Sequence, residues 1–399
     1  MTIDDPLLAW RAEFPILGTT TYLVSNSLGA MPRGVPGRLA EYAARWAEDG
    51  VRAWGGGWWE MPISVGNEIA PLLGAGDGEV AMVPNVSAAQ ALILSALDLT
   101  KGGRDTIVMT ELDFPSVRYV TDALAAKFGA RVMVVPTEDG ISISEDAVIA
   151  AIDERTALVA ISQVLFRSAY VMDAEPIVRA AHERGALVAL DAFHAVGVIP
   201  VDVKALGVDF LTGGVLKWLC GGPGGCFVYV APSVRDTLAP ALGGWQGHAR
   251  PFAFEATMTP AAGIARWLGG TPAIPALYAA TEGPRILRRA GIEAIRAKSV
   301  RQTTALIALA DARGYPVSAP RTSGRRGGTV AFDVPHAYEV SRCLLDRGII
   351  VDYRPGAGIR VAPHFYTSDA EIELAVGAID EIIERGDWQR HAGRTAVVT

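Results

Sequence analysis

The stretch LVALDAFHAVGVIPVDVKALGVDFLTGGVLKWLCGGPGGCFVYV (187–230) decides how this chain is read. LVALD is short and apolar on both faces, and it closes on Asp191. A strand without alternation is one covered on both sides, as in a parallel sheet flanked by helices. His194 comes three residues after Asp191, and Lys217 comes 26 residues after it, ahead of the loop GGPGG (221–225).

The same pattern extends outward. TIVMT (106–110), RVMVVP (131–136), ALVAIS (157–162) and ALVALD (186–191) are apolar runs of strand length. Helical segments separate them, among them SVRYVTDALAAKFG (116–129) and AEPIVRAAHERG (174–185), the latter closed by a glycine. Strands alternating with helices predict an α/β fold with a mostly parallel sheet. Ligands bind such sheets at the carboxyl ends of the strands. Upstream, PGRLAEYAARWAED (36–49) puts Leu39, Tyr42, Ala43 and Trp46 on one face of an amphipathic helix, and Trp54, Trp58 and Trp59 surround three glycines. Past residue 250 helices dominate 283–312, followed by short strands in GTVAFDV (328–334) and GIRVAP (358–363). The expected division is an N-terminal segment with a large domain over 1–255 and a smaller C-terminal α+β domain over 256–399.

Composition narrows the function. Of 399 residues, 50% are hydrophobic and 20% charged, enough apolar surface to drive folding. The net charge of −7 and the scattered cations leave no basic stripe for nucleic acid. No run approaches a membrane span, and the acidic start MTIDDPLLAW is unlike a signal peptide. Three cysteines cannot build a disulfide framework, which suits a reducing, cytoplasmic setting. The six histidines show no H-x-x-x-H pairing, so no metal site is expected. A nicotinamide dinucleotide site would need a glycine fingerprint after the first strand, whereas GAGDG (74–78) precedes one.

Each chemical residue has an ordinary reading. An aspartate after a strand often caps a helix, a lone histidine is usually just hydrogen-bonded, and GGPGG can be a turn. Together they fit one chemistry. A pyridoxal phosphate site needs a lysine for the Schiff base and an acid opposite the pyridinium nitrogen to make the ring an electron sink. Lys217 and Asp191 supply these, and the His194 imidazole is a planar group able to sit against the ring.

The block resembles kynureninases, fold-type-I pyridoxal phosphate enzymes of the class V aminotransferase group. The resemblance also runs through NSLGAMP (26–32), RAW (52–54), DGEV (77–80), DFPS (113–116), GWQGH (244–248), GIARWLGGT (263–271) and GIRVAP (358–363). It implies the aspartate aminotransferase-like fold, pyridoxal 5′-phosphate as cofactor, a small-molecule amino-acid substrate and a homodimer. Lys217, Asp191 and His194 would be catalytic. Phe114 would stack on the ring and Ser162 would lie near it. Val86 and Ser87 would meet the phosphate at a helix start, where backbone N–H groups favour an anion. Trp245 and Thr271 would reach the phosphate, partly from the neighbouring subunit. Arg360 would bind the substrate α-carboxylate, aided by Asn26; a guanidinium fork suits that task. Without the resemblance, Phe114 reads equally as core, Ser87 as a cap, Trp245 as an interface aromatic and Arg360 as a solvated edge charge.

The chain also departs from the pattern. Leu216 replaces the tyrosine before the Schiff-base lysine, Val117 an aspartate, Gln246 a phenylalanine and Cys220 an asparagine. The expected activity is a kynureninase-like side-chain cleavage at Cβ–Cγ. The alternative is a class V enzyme performing C–S β-elimination, transamination or decarboxylative deamination. A binding protein that has lost catalysis would not need Lys217, Asp191 and Arg360 together.

Overall fold

The computed structural model describes residues 5–100 and 103–393. Its strands, in chain order, are β1 (Thr21–Tyr22), β2 (Val80–Val83), β3 (Thr106–Thr110), β4 (Arg131–Val135), β5 (Thr156–Ser162), β6 (Leu187–Asp191), β7 (Phe210–Gly214), β8 (Cys226–Val230), β9 (Val330–Phe332), β10 (Ile349–Ile350), β11 (Asp352–Arg354) and β12 (Gly358–Val361). Seven of them form one sheet in the order β2-β8-β7-β6-β5-β3-β4. Only β8 runs against its neighbours, antiparallel to both β2 and β7. The sheet is therefore mostly parallel, as the apolar runs predict. Nothing in CFVYV marks its reversal, because a buried antiparallel strand is as apolar as a buried parallel one.

Both faces of the sheet are covered. Along β3, β5 and β6, Val108, Val159, Ile161, Val188 and Leu190 enter one core. Ile107, Met109, Leu158, Ala160 and Ala189 enter the core on the other side. Successive side chains point to opposite faces, so apolar character at every position is what two covered faces require. The flanking helices include Pro115–Phe128 and Ala174–Glu183, close to the segments read from the sequence.

A second sheet, β11-β12-β9, is antiparallel. It packs through Val330, Ile359 and Val361 against a core that includes Leu306 of the Ile292–Asp311 helix and Val376 and Ile379 of the Asp369–Arg385 helix. The N-terminal chain joins it: β1 pairs in parallel with β10, Val24 bridges to Ala362, and Leu23 is buried in this core.

The helix read over 36–49 runs Val35–Asp49, yet Val35 is its sole buried residue. Leu39 and Trp46 on its apolar face are 39% and 62% exposed. No helix among the described residues is long and apolar enough to cross a membrane.

Candidate active site

The strand order fixes where a ligand site can form. β3 has β4 on one side and β5 on the other, after which the chain winds away through β6 and β7. The connections leaving β3 and β5 therefore diverge, and a crevice opens at their carboxyl ends. Asp113 joins the two strand ends there. One carboxylate oxygen accepts the Thr110 N–H at 2.7 Å and the other the Ser162 N–H at 2.7 Å, so Asp113 closes the gap where the ladder stops. Its burial raises its pKa against the pull of these N–H donors.

Five strands running in the same direction deliver side chains to this crevice. β2 leads into the Val86–Ser95 helix, β3 into Phe114, β5 into Ser162, β6 ends on Asp191 with His194 beyond it, and β7 leads to Leu216 and Lys217. Val86, Phe114, Ser162, Asp191, His194, Leu216 and Lys217 line one cavity, together with Val164, Phe166 and Phe193. The helix start is capped by Asn85, whose side chain accepts the Ala88 N–H at 3.0 Å. Ser87 is thus not the cap but lies in the first turn, where the N–H groups of Val86 and Ser87 have no acceptor within the helix.

Lys217 Nζ is 2.6 Å from His194 Nε2. It lies 5.5 Å from the centre of the Phe114 ring, which meets Phe166 edge-on at 5.3 Å. Asp191 Oδ1 accepts the Phe193 N–H at 2.9 Å. Burial dominates the electrostatics. It lowers the Lys217 amine to about 7, further pressed by Arg360 and Arg354 and opposed by Asp191. It raises the Asp191 carboxyl, with the like charge of Asp113 adding to the shift. His194 falls well below the ordinary imidazole range through burial, then through Lys217 and the two arginines. A neutral His194 accepts from the Lys217 amine.

Close packing fixes the lysine loop. Gly29 donates its N–H to the Leu216 carbonyl at 2.7 Å, and a Cβ on Gly29 would come within 2.1 Å of the Lys217 carbonyl oxygen. The Asn-Ser-Leu-Gly turn therefore needs its glycine. Asn26 in the same turn is 1% exposed, and neither polar atom of its side chain has a hydrogen-bond partner among the described residues. Cys220, at φ 53°, occupies left-handed backbone that asparagine tolerates better.

Arg360 is not the solvated edge charge it could have been. It is 2% exposed and held bidentately by Asp352, Nε to Oδ1 at 2.7 Å and Nη2 to Oδ2 at 2.5 Å, while Nη1 donates to the Phe166 carbonyl. Of the residues predicted for the site, Ser87, Asn26, Arg360, Trp245 and Thr271 do not line the Lys217 cavity. Trp245 packs with Trp59, Phe252 and Phe254 on the surface, and Thr271 borders a groove with Tyr42, Trp46 and Trp54. Trp54, Trp58 and Trp59 pack as aromatic neighbours. Asp113 and Asp352 carry no role in the sequence reading. The signal for Asp113 was its strand-end position in DFPS; Asp352 had none, since its partner is set by strand register. Among the described residues no group of three or more histidine, cysteine or acidic side chains could hold a metal ion.

The sequence matches the aminotransferase class-V family model over residues 61–369. It is 33% identical to a kynureninase of Burkholderia pseudomallei (strain K96243), over 99% of this chain and 97% of that protein. It is also 33% identical to a kynureninase of Pseudomonas fluorescens, over 96% and 94%. Among solved structures, a cysteine desulfurase from Thermococcus onnurineus NA1 superposes with a TM-score of 0.84 at 22% identity, covering 96% of this chain and 100% of that one. The cystine C–S lyase C-DES superposes with a TM-score of 0.82 at 20% identity, covering 92% and 98%. At these identities the structural likeness is one of fold.

Proposed function

The chain belongs to the aminotransferase class-V family, and from that premise we propose that it is a kynureninase-like enzyme that hydrolyses the Cβ–Cγ bond of an amino-acid substrate. Its cofactor is pyridoxal 5′-phosphate. The observation that carries the proposal is the convergence of Lys217, Asp191, His194 and Phe114 on one cavity at the divergence of β3 and β5.

The residues present suit the cofactor. A nucleophilic amine, a buried acid, an aromatic face and a helix start for an anion border the same space. Bound there, pyridoxal phosphate supplies an aldehyde for attachment to lysine and a ring that accepts the electron pair left at the substrate Cα. Lys217 is the point of attachment. Its lowered pKa keeps a large fraction of the amine unprotonated near neutral pH, the form that attacks carbonyls and accepts a proton from Cα. Asp191, in the same cavity, would hold the ring nitrogen in its protonated form. A cation in contact holds a buried carboxylate ionised, which offsets the upward shift of the isolated side chain. His194 holds the amine by its 2.6 Å contact, and Phe114 and Ser162, which line the same cavity, would contact the cofactor ring. Val86 and Ser87, in the first turn of their helix, would receive the phosphate. Arg360 and the unpartnered Asn26 amide receive the substrate carboxylate.

The functional unit is a homodimer in the cytoplasm, in which Trp245 and Thr271 of one subunit complete the phosphate site of the other. This reading is supported by the exposed apolar side chains of Trp46, Val51, Phe252 and Phe254. It is also supported by an apolar cavity of about 660 Å³ whose lining includes Ile16, Leu28, Met31 and Leu39.

A second reading, elimination or amino transfer at the same site, rests on Leu216. It lines the cavity with Val86, Val164 and Phe166, and no lining residue there bears a phenol. Leucine can neither donate nor accept a proton. Losing a positioned proton-transfer group costs about 10²–10⁴-fold in rate. Product analysis by mass spectrometry, with kynurenine and a cysteine S-conjugate side by side, decides between the readings. Alanine released from kynurenine, increased by Leu216→Tyr, supports hydrolysis; pyruvate from the S-conjugate with no turnover of kynurenine by either form supports elimination.

A further inference from the structure

The pair Asp352–Arg360 has a feature that an ordinary structural ion pair lacks. Asp352 and Arg360 are register partners on β11 and β12, so their side chains leave the same face of the sheet. Arg354, two residues along β11, shares that face, and its Nη2 is 3.3 Å from Asp352 Oδ2. The other face carries Ile359 and Val361 into the core. One side of a small sheet thus presents two guanidinium groups and one carboxylate towards the Lys217 cavity, which Arg360 reaches through the Phe166 carbonyl.

The charges do not balance. The Asp352 side chain is fully buried and that of Arg360 is 3% exposed. Arg354, 20% exposed, has Asp352 as its acidic partner and otherwise donates to the carbonyl of adjacent Tyr353. A buried cluster with a surplus positive charge is costly until an anion joins it. Arg360 has five N–H donors. Asp352 takes two of them, on the Nε/Nη2 edge, and Phe166 takes a third, leaving two for a ligand.

We infer that Asp352 is a positioning residue: by occupying one edge of Arg360 and tethering Arg354 beside it, it fixes both guanidinium groups to receive the carboxylate of the amino-acid substrate. The inference rests on the reading of Arg360 as the carboxylate anchor. It adds that Arg354 is a second contact for the substrate and that Asp352 sets selectivity for acids over amines without touching the ligand. Asparagine at 352 would keep the size but lose the charge that orients both arginines.

The test is a spectral titration of the holoenzyme with L-alanine and with ethylamine, the counterpart that lacks a carboxylate. In Asp352→Asn the Kd for alanine should rise at least about tenfold, the loss expected when charge-assisted hydrogen bonds are misplaced, while that for ethylamine stays within about twofold. A merely structural role would weaken both ligands alike, and that result overturns the inference. Arg354→Gln, on a partly exposed side chain, should raise the alanine Kd about threefold or more with ethylamine unchanged. If Asp352→Asn does not fold, this variant decides alone, and an unchanged alanine Kd overturns the proposal. Arg360→Gln separates the premise from the inference. If it keeps the preference for alanine over ethylamine, the anchor reading falls and the inference with it. If it loses the preference while Asp352→Asn keeps it, the inference alone falls.

Discussion

The crevice around Lys217 and the surface around Trp245 are both rich in aromatic side chains, but they are finished to different degrees. In the crevice, Phe114, Phe166 and Phe193 close around polar groups that are already fixed: Asp191 by the Phe193 amide, Asp113 by two strand-end N–H groups, Lys217 by His194. On the surface, Trp59, Trp245, Phe252 and Phe254 contact one another, and Trp245 remains 41% exposed. One region is complete within a single chain and the other presents apolar area that water covers poorly. The difference teaches that one chain by itself brings together the lysine, acid and aromatic face of the crevice, whereas the Trp245 surface is left uncovered, which is where the dimer proposed above would close.

The largest effect should come from the finished region. Asp191→Asn removes the charge that, on the proposed reading, faces the ring nitrogen, and should slow Cα–H exchange in deuterated water by about 10²–10³-fold, the usual cost of removing one preorganised electrostatic contact. Circular dichroism should be unchanged. Near-normal exchange would break the comparison by showing that the crevice does not act through this carboxylate.

The unfinished region should give a smaller effect of another kind. Trp245→Ala removes a large exposed aromatic, and if it lies in the proposed dimer interface its truncation should cost about 2 kcal/mol or more, roughly thirtyfold in the dimer dissociation constant. Light scattering at micromolar concentration should show a shift towards monomer, with cofactor affinity falling in parallel. A wild-type monomer that is fully active would contradict the division of labour.

The smallest effect is one of pH. Burial lowers the Lys217 amine to about 7, so its unprotonated fraction falls tenfold for each pH unit below that value and is nearly constant above it. The rate at which the apoenzyme captures the cofactor should follow this curve. A rate that keeps rising towards pH 10 would indicate a lysine with an ordinary, solvated pKa.

How much of this was legible in the sequence varied with how local the cause was. Continuous apolar runs predicted the parallel sheet because two covered faces leave no polar positions, and β3, β5 and β6 fall where they were read. Asp191, His194 and Lys217 were found because a strand-end acid, a histidine three residues on and a lysine ahead of a glycine loop fit one chemistry, while Phe114 came from the resemblance. The bridging role of Asp113 was not visible, since it depends on β3 and β5 being neighbours. Asp352 was invisible for a similar reason: its pairing with Arg360 depends on the register of two short strands, which no local pattern sets. The helix Val35–Asp49 was read correctly as amphipathic, but periodicity reports an apolar face and not what covers it.

The most direct test of the central claim is borohydride reduction of the protein incubated with pyridoxal 5′-phosphate, followed by peptide mass spectrometry. The expected result is one stable adduct, on the peptide carrying Lys217, absent from Lys217→Ala together with about 10²–10⁴-fold or more of the turnover. An adduct on another lysine, or a trapped adduct and turnover surviving in Lys217→Ala, would contradict the account.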